Sequence, residues 1–190
     1  MQKELAHSFN AKLSKEISDK LKNEQEKLRD LGFIEKRFYD SSPHLAIATK
    51  FMSEKETEKF IGVLKNEFKN DESFELEFSD FKLSRTRDYI FLHLNFESEQ
   101  KILDLHSRAF QATKNIGLEI QTGKTFRHFE YNPHISIIKL PQEEIGNALE
   151  IIKEDFSGIK MLVNCFEITR QTDDEKGFSN FPVINKIDLG

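Results

Sequence analysis

The sequence predicts a single α+β domain assembled from two similar halves, and three observations carry that reading. Strand-like apolar runs alternate with amphipathic helical segments, with hairpin-like strand pairs between them. A short pattern recurs, Pro43-His44-Leu45-Ala46-Ile47 and Pro133-His134-Ile135-Ser136-Ile137, each copy followed by a helical segment and then two strand-like runs. The 190 residues also match the size of one domain, with no low-complexity stretch or Gly/Ser/Pro linker to mark a boundary.

The elements follow in order. Residues 2–31 read as one long amphipathic helix: Leu5, Phe9, Leu13, Ile17 and Leu21 recur every four residues, followed by Leu28 and Leu31. Gly32 supplies the stop. The apolar stripe suits docking on the protein's own body, with a protein partner or a dimer contact as the alternative. We therefore divide the chain into an N-terminal helical extension, residues 2–31, and a core, residues 33–189, within one domain spanning 1–190. FIEKRFY, residues 33–39, reads as a short strand and His44–Thr49 as a buried one. Ser53 and Glu56 form a capping box that opens a helix with Phe60, Ile61, Leu64 and Phe68 on one face. Phe74, Leu76 and Phe78 alternate as in a strand, and the phase slips at Ser79-Asp80, which predicts a bulge. YIFLHLNF is the next strand. A helix runs from Ser98 to about Ile116 and stops at Gly117. Residues 118–132 read as a long loop or a short strand plus loop. A strand covers His134–Leu140, a helix residues 142–156, and strands Ile159–Thr169 and Phe181–Asp188.

Composition removes several function classes. No apolar run approaches the roughly 18–20 residues of a membrane-spanning helix, and the mixed N-terminus shows no secretory apolar region. Net charge is −5, from 28 basic and 33 acidic residues, so binding to long nucleic acid has no global basic field behind it. A local pocket for a single phosphate stays compatible with that charge. Cys165 is the single cysteine, which excludes an internal disulfide and a cysteine-built zinc site. A reducing, cytoplasmic setting fits.

The chemistry centres on two histidines. His44 and His134 stand 90 positions apart in matched contexts, so a duplicated fold would set them as symmetry mates across a central cleft. Alternate residues of a strand share a face. His44 and Ala46 therefore turn one way and Leu45 and Ile47 the other; likewise His134 and Ser136 oppose Ile135 and Ile137. The same parity sends Thr49 to the face opposite His44. Two imidazoles flanking a phosphodiester can divide the proton transfers, one acting as base and the other as acid, because histidine titrates near neutrality.

With these residues in place, the sequence resembles the 2H phosphoesterase superfamily, which includes 2′-5′ RNA ligase-like and cyclic phosphodiesterase-like proteins. That group carries two copies of His-hydrophobic-Ser/Thr-hydrophobic on paired strands of a duplicated, bilobal α+β fold. His134-Ile135-Ser136-Ile137, preceded by Tyr131-Asn132-Pro133, matches fully, and His44-Leu45-Ala46-Ile47 matches except that Ala46 replaces the hydroxyl residue. The resemblance covers roughly residues 38–189 and leaves the N-terminal helix outside. It implies two antiparallel sheets around a central cleft and metal-independent chemistry without a cofactor, in which the motif hydroxyls bind the phosphate. His44 and His134 would be the catalytic pair and Ser136 the phosphate ligand.

The resemblance points to a hydrolase, a phosphodiesterase acting on a small RNA-type phosphodiester. Candidate substrates are a 2′,3′-cyclic phosphate, a 2′-5′-linked oligonucleotide or a cyclic oligonucleotide. The alternative is a non-catalytic nucleotide-binding module of the same fold, signalling through the N-terminal helix and motivated by Ala46. Tyr131 is a candidate for stacking on a base, and Arg170, in phase with Phe166 and Ile168, for a phosphate contact. Other features carry less. His93 shares a face with Tyr89 and Phe91 and reads as a core histidine that lines the cleft only as the second choice. His7, His106 and His128 read as ordinary surface or loop residues. Gly123-Lys124-Thr125 lacks the spacing and preceding strand of a phosphate-binding loop, and Asp173-Asp174-Glu175 reads as a solvated acidic loop.

Overall fold

Two β-α-β-α units follow one another along the chain. In the computed structural model the described residues are 4–30, 32, 43–85, 89–97, 99–118, 131, 133–141, 143, 145–152, 156–173 and 179–190. The first unit is β1 (Leu5–Ala11), α1 (Lys15–Asp30), β2 (Leu45–Met52) and α2 (Glu54–Phe68). After β3 (Phe74–Arg85) the pattern repeats as β4 (Tyr89–Phe96), α3 (Glu99–Lys114), β5 (Ile135–Pro141) and α4 (Ile145–Ile151). The chain closes with β6 (Lys160–Val163), β7 (Cys165–Arg170), a small ribbon of β8 (Thr172–Asp173) and β9 (Ser179–Asn180), and β10 (Val183–Asp188). Helix and strand thus mix as the α+β reading requires.

Eight strands join in the order β10-β7-β1-β2-β5-β4-β3-β6, every registered pair antiparallel. The order falls into two four-stranded halves, because among the described residues β2 and β5 meet at one pair, Leu45 and Ile135. Each unit completes the other's half: β3, which follows α2, pairs with β4, and β7, which follows α4, pairs with β1.

The N-terminal segment departs from expectation. Residues 5–11 form a strand between β2 and β7, and the helix is confined to Lys15–Asp30. A four-residue repeat explains the misreading: positions i and i+4 share a face in a strand as well as in a helix. Leu5 and Phe9 belong to the strand pattern, and Ile17 and Leu21 to a new helix that Ser14 opens by accepting the Ile17 N–H at 3.3 Å. The helical stripe Ile17, Leu21 and Leu28 is fully buried, with α1 packed on β5 and α4. β1 and α1, which fall within the expected extension 2–31, are therefore no appendage to a core at 33–189, and the stripe offered to a partner or dimer is spent inside the chain.

Phenylalanine fills the interior. Phe9, Phe68 and Phe166 meet at 4.9–5.5 Å between β1, β7 and α2, while Phe78 packs against Phe96 and Phe156 in the other half. Arg108 of α3 holds Asp71 at 2.7 Å and Glu67 at 2.9 Å and lies over the Phe68 ring, tying α3 to α2. At the start of α2 the Ser53 N–H donates to the Glu56 carboxylate at 2.8 Å, as the capping box predicts. The expected bulge in β3 is present, since Phe78 faces Phe96 and Phe81 faces Leu94. Gly32 and Gly117 close α1 and α3 with positive φ of 82° and 74°. The expected strand 159–169 is two strands: β6 pairs with β3, and β7 with β1, so the chain crosses between halves at Asn164. The strand expected at 33–39 and nearly all of the expected 118–132 loop lie outside the described residues.

Candidate active site

Leu45 and Ile135 are both fully buried where the two halves join. Residues directly opposite in an antiparallel pair share a face, and their neighbours take the other face. His44, Ala46, His134 and Ser136 therefore share the face opposite Leu45 and Ile135. His44 and Ser136 are exposed there, and Ala46 and His134 half-buried. Continued one step to either side of the bridge, that register would set His44 across from Ser136 and Ala46 across from His134. The histidines would then be diagonal neighbours, about 7–8 Å apart in ordinary sheet geometry, a separation that accommodates one phosphate between two imidazoles.

Both motifs end in the same irregularity. Phe9 faces Ala48 and Asn10 faces Ala46, which leaves Ile47 as an extra residue; Leu92 faces Ile138 and His93 faces Ser136, which leaves Ile137 extra. Each bulge carbonyl is taken by a helix. His106 Nδ1 of α3 donates to the Ile47 carbonyl at 2.6 Å, and Gln25 Nε2 of α1 to the Ile137 carbonyl at 2.9 Å. The bulge also reverses the parity of β2, so Thr49, paired with Ser8, lies on the same face as Ala46 and not opposite it as strict alternation implies.

Around the second motif, His93 is registered against Ser136 and Lys82 against His93. The Ser136 hydroxyl lies 3.4 Å from His93 Nδ1, Ser84 Oγ hydrogen-bonds His93 Nε2, and the His134 ring sits 4.1 Å from the His93 ring at 60°. Burial, then the neighbouring His134 and Lys82, pull the His93 pKa down to about 4. At neutral pH His93 is thus an uncharged link between Ser84 and Ser136.

Around the first motif, two carbonyls are anchored. The Tyr131 O–H donates to the Ala46 carbonyl at 2.6 Å, and its ring stacks on His106 at 3.9 Å and 9°. Burial pushes the Tyr131 phenol up, so it remains an O–H donor. Tyr131 braces the first motif, and the ring face on His106 is closed to a nucleobase. Arg170 is not at this site. Its phase with Phe166 and Ile168, both fully buried, puts it on the helix-covered face, where it meets Glu54 of α2 at 3.2 Å and is registered against His7. Lys12, exposed, stands one step beyond the Ala11–Leu45 pair at the end of β1, with its N–H on the Cys165 carbonyl. Asn10 faces Ala46 directly. Sequence reasoning missed Lys12 and Asn10 because it read their segment as helix. His7 and His106, read as ordinary surface or loop residues, are instead a fully buried partner of Thr57 and the Ile47 clamp.

The profile of the 2′-5′ RNA ligase superfamily matches residues 17–175. The chain belongs to the 2′-5′ RNA ligase superfamily. Its fold is similar to that of Escherichia coli LigT in apo form, with 14% identity, TM-score 0.69 and 99% of each chain covered. LigT complexed with 3′-AMP gives 12%, 0.66 and 98% of each. TT0787 of Thermus thermophilus gives 15%, 0.64 and 97% of each. No curated protein matches the chain. The 2H resemblance read from the two histidine motifs is borne out, and membership supports a phosphodiesterase or ligase-like activity of the 2H type. Among the described residues no helix is long and apolar enough to cross a membrane.

Proposed function

We propose that the protein is a metal-independent phosphodiesterase acting on a small RNA-type phosphodiester: a 2′,3′-cyclic phosphate, a 2′-5′-linked oligonucleotide or a cyclic oligonucleotide. One observation carries the reading: the Leu45–Ile135 bridge sets two histidine motifs on one face of the sheet. One imidazole takes the proton of the attacking water or ribose hydroxyl as its oxygen bonds to phosphorus. The other gives a proton to the oxygen whose bond to phosphorus breaks. Ser136 donates to a non-bridging oxygen, and neutral His93 orients it. Lys82 and Lys12 add positive charge, and the reaction runs in a reducing, cytoplasmic setting. That LigT binds 3′-AMP in its crystals is in keeping with a nucleotide-sized substrate.

A screen of cyclic phosphates, 2′-5′ oligomers and cyclic dinucleotides, with product ends identified by mass, tests the reading. Turnover that survives EDTA supports it, and turnover that vanishes with EDTA and returns with metal contradicts it. Ala46 favours a second reading, a module that holds a nucleotide intact. Calorimetric binding without turnover over hours would select it. With the α1 stripe buried, such a module would signal by some route other than an exposed N-terminal helix.

A further inference from the structure

We infer that Asn10 supplies the phosphate-binding donor of the first motif, in place of the side chain that Ala46 lacks. The inference rests on the phosphodiesterase reading and deepens it. In the second half Ser136 stands two residues beyond its histidine, with His93 registered against it. In the first half Ala46 takes the place of Ser136, and Asn10 takes the place of His93. The duplication thus presents a polar side chain on the neighbouring strand in both halves, while the hydroxyl itself is present in one.

The hydrogen bonds of Asn10 orient its amide. Ser8 Oγ donates to Asn10 Oδ1 at 2.6 Å, and Asn10 Nδ2 donates to Thr169 Oγ1 at 3.2 Å, whose own proton points to the Ser8 carbonyl at 3.5 Å. In this arrangement the amide accepts through Oδ1 and donates through Nδ2. Nδ2 carries two protons, and the second has no partner among the described residues. Ser8, Asn10 and Thr169 are buried, so the amide is held by its neighbours and does not sweep through solvent. Thr49 is already engaged with Ser8 at 3.2 Å. Asn10 is the donor left directly across from Ala46, on the face that carries both histidines.

The test is a double-mutant cycle on kcat/KM for a nucleoside 2′,3′-cyclic phosphate. Asn10→Ala should lower it by about 10²-fold, the lower end of the range for one lost transition-state donor. Asn10→Asp keeps the shape and the Ser8 contact but sets a carboxylate toward the phosphate, and should lower it further. Ala46→Ser should raise the Asn10→Ala variant at least tenfold and act far less on the wild type, because a new hydroxyl matters most where the amide is gone. Melting of each variant separates loss of fold from loss of donor. Equal effects of Ala46→Ser in both backgrounds, or Asn10→Asp within twofold of wild type in a folded protein, would overturn the inference. If the wild type turns over and the His44→Ala, His134→Ala pair does not, that failure leaves the phosphodiesterase reading standing. Titration with inorganic phosphate reads the donor without turnover: weakened binding in Asn10→Asp supports it, and unchanged binding refutes it.

Discussion

Ile47 and Ile137 are the extra residues of two matching β-bulges, 90 positions apart, and each gives its carbonyl to a helix side chain from outside its sheet. A bulge frees a backbone carbonyl from the ladder, and a buried carbonyl without a partner is costly. His106 and Gln25 take the carbonyl of the last residue of each motif, so α3 and α1 hold the two central strands, β2 and β5, that follow His44 and His134.

Truncating the clamps should therefore affect both fold and rate. His106→Ala is expected to cost about 1–3 kcal/mol, and Gln25→Ala toward the lower end, since each leaves a carbonyl unpaired. Tyr131→Phe, which removes only the bond to the Ala46 carbonyl, should cost about 1 kcal/mol. Urea unfolding gives the stabilities. Turnover of the fully folded variants should still fall, because the motif backbone loosens; unchanged turnover would show that the clamps serve stability alone.

His93 sets a pH dependence of stability. Its pKa is about 4 in the fold, against 6.5 for an unperturbed imidazole, so the unfolded chain binds a proton between those values that the native protein does not. Stability is full above pH 6.5, falls as pH drops from 6.5 toward 4, and levels off below. The loss attributable to His93 is on the order of 3 kcal/mol. Burial lowers His7 and His106 as well, so they steepen the same decline. His93→Gln, which still reaches Ser136, should flatten the curve measured by urea unfolding from pH 7 to 4.5. Parallel curves for variant and wild type would contradict this assignment.

Removal of residues 1–13 should abolish cooperative folding. β1 lies between β2 and β7, and its loss strips Phe9 from the Phe68–Phe166 cluster as well as two ladders of hydrogen bonds. Thermal melting of the truncated chain followed by circular dichroism checks this. A sharp transition near that of the full chain would mean that β1 is dispensable.

What the sequence shows and what it hides follow a physical line. The Ser53–Glu56 capping box and the Ser79-Asp80 slip are local, and both are present as read. The two histidine motifs are legible because proline and strand parity sit within five residues. β1 is hidden because its spacing fits both periods. The face of Thr49 is hidden because no glycine marks the bulge at Ile47; only the pairing with β1 reveals it. Asn164 separates β6 from β7 in an unbroken strand-like run, since partners far along the chain decide which half each joins. The placement of Arg170 is within reach of the sequence, as its phase matches two core residues.

The most direct test of the central claim, that His44 and His134 act as a pair on one phosphodiester, is kcat/KM against pH for the wild type, each single alanine variant and the double variant. The account predicts a bell-shaped wild-type profile that EDTA leaves intact, and single losses of about 10²–10⁴-fold. The double loss should fall well short of the product of the two, because residues acting as a unit are non-additive. Undiminished turnover in the double variant, or a profile without a limb assignable to either histidine, would contradict it.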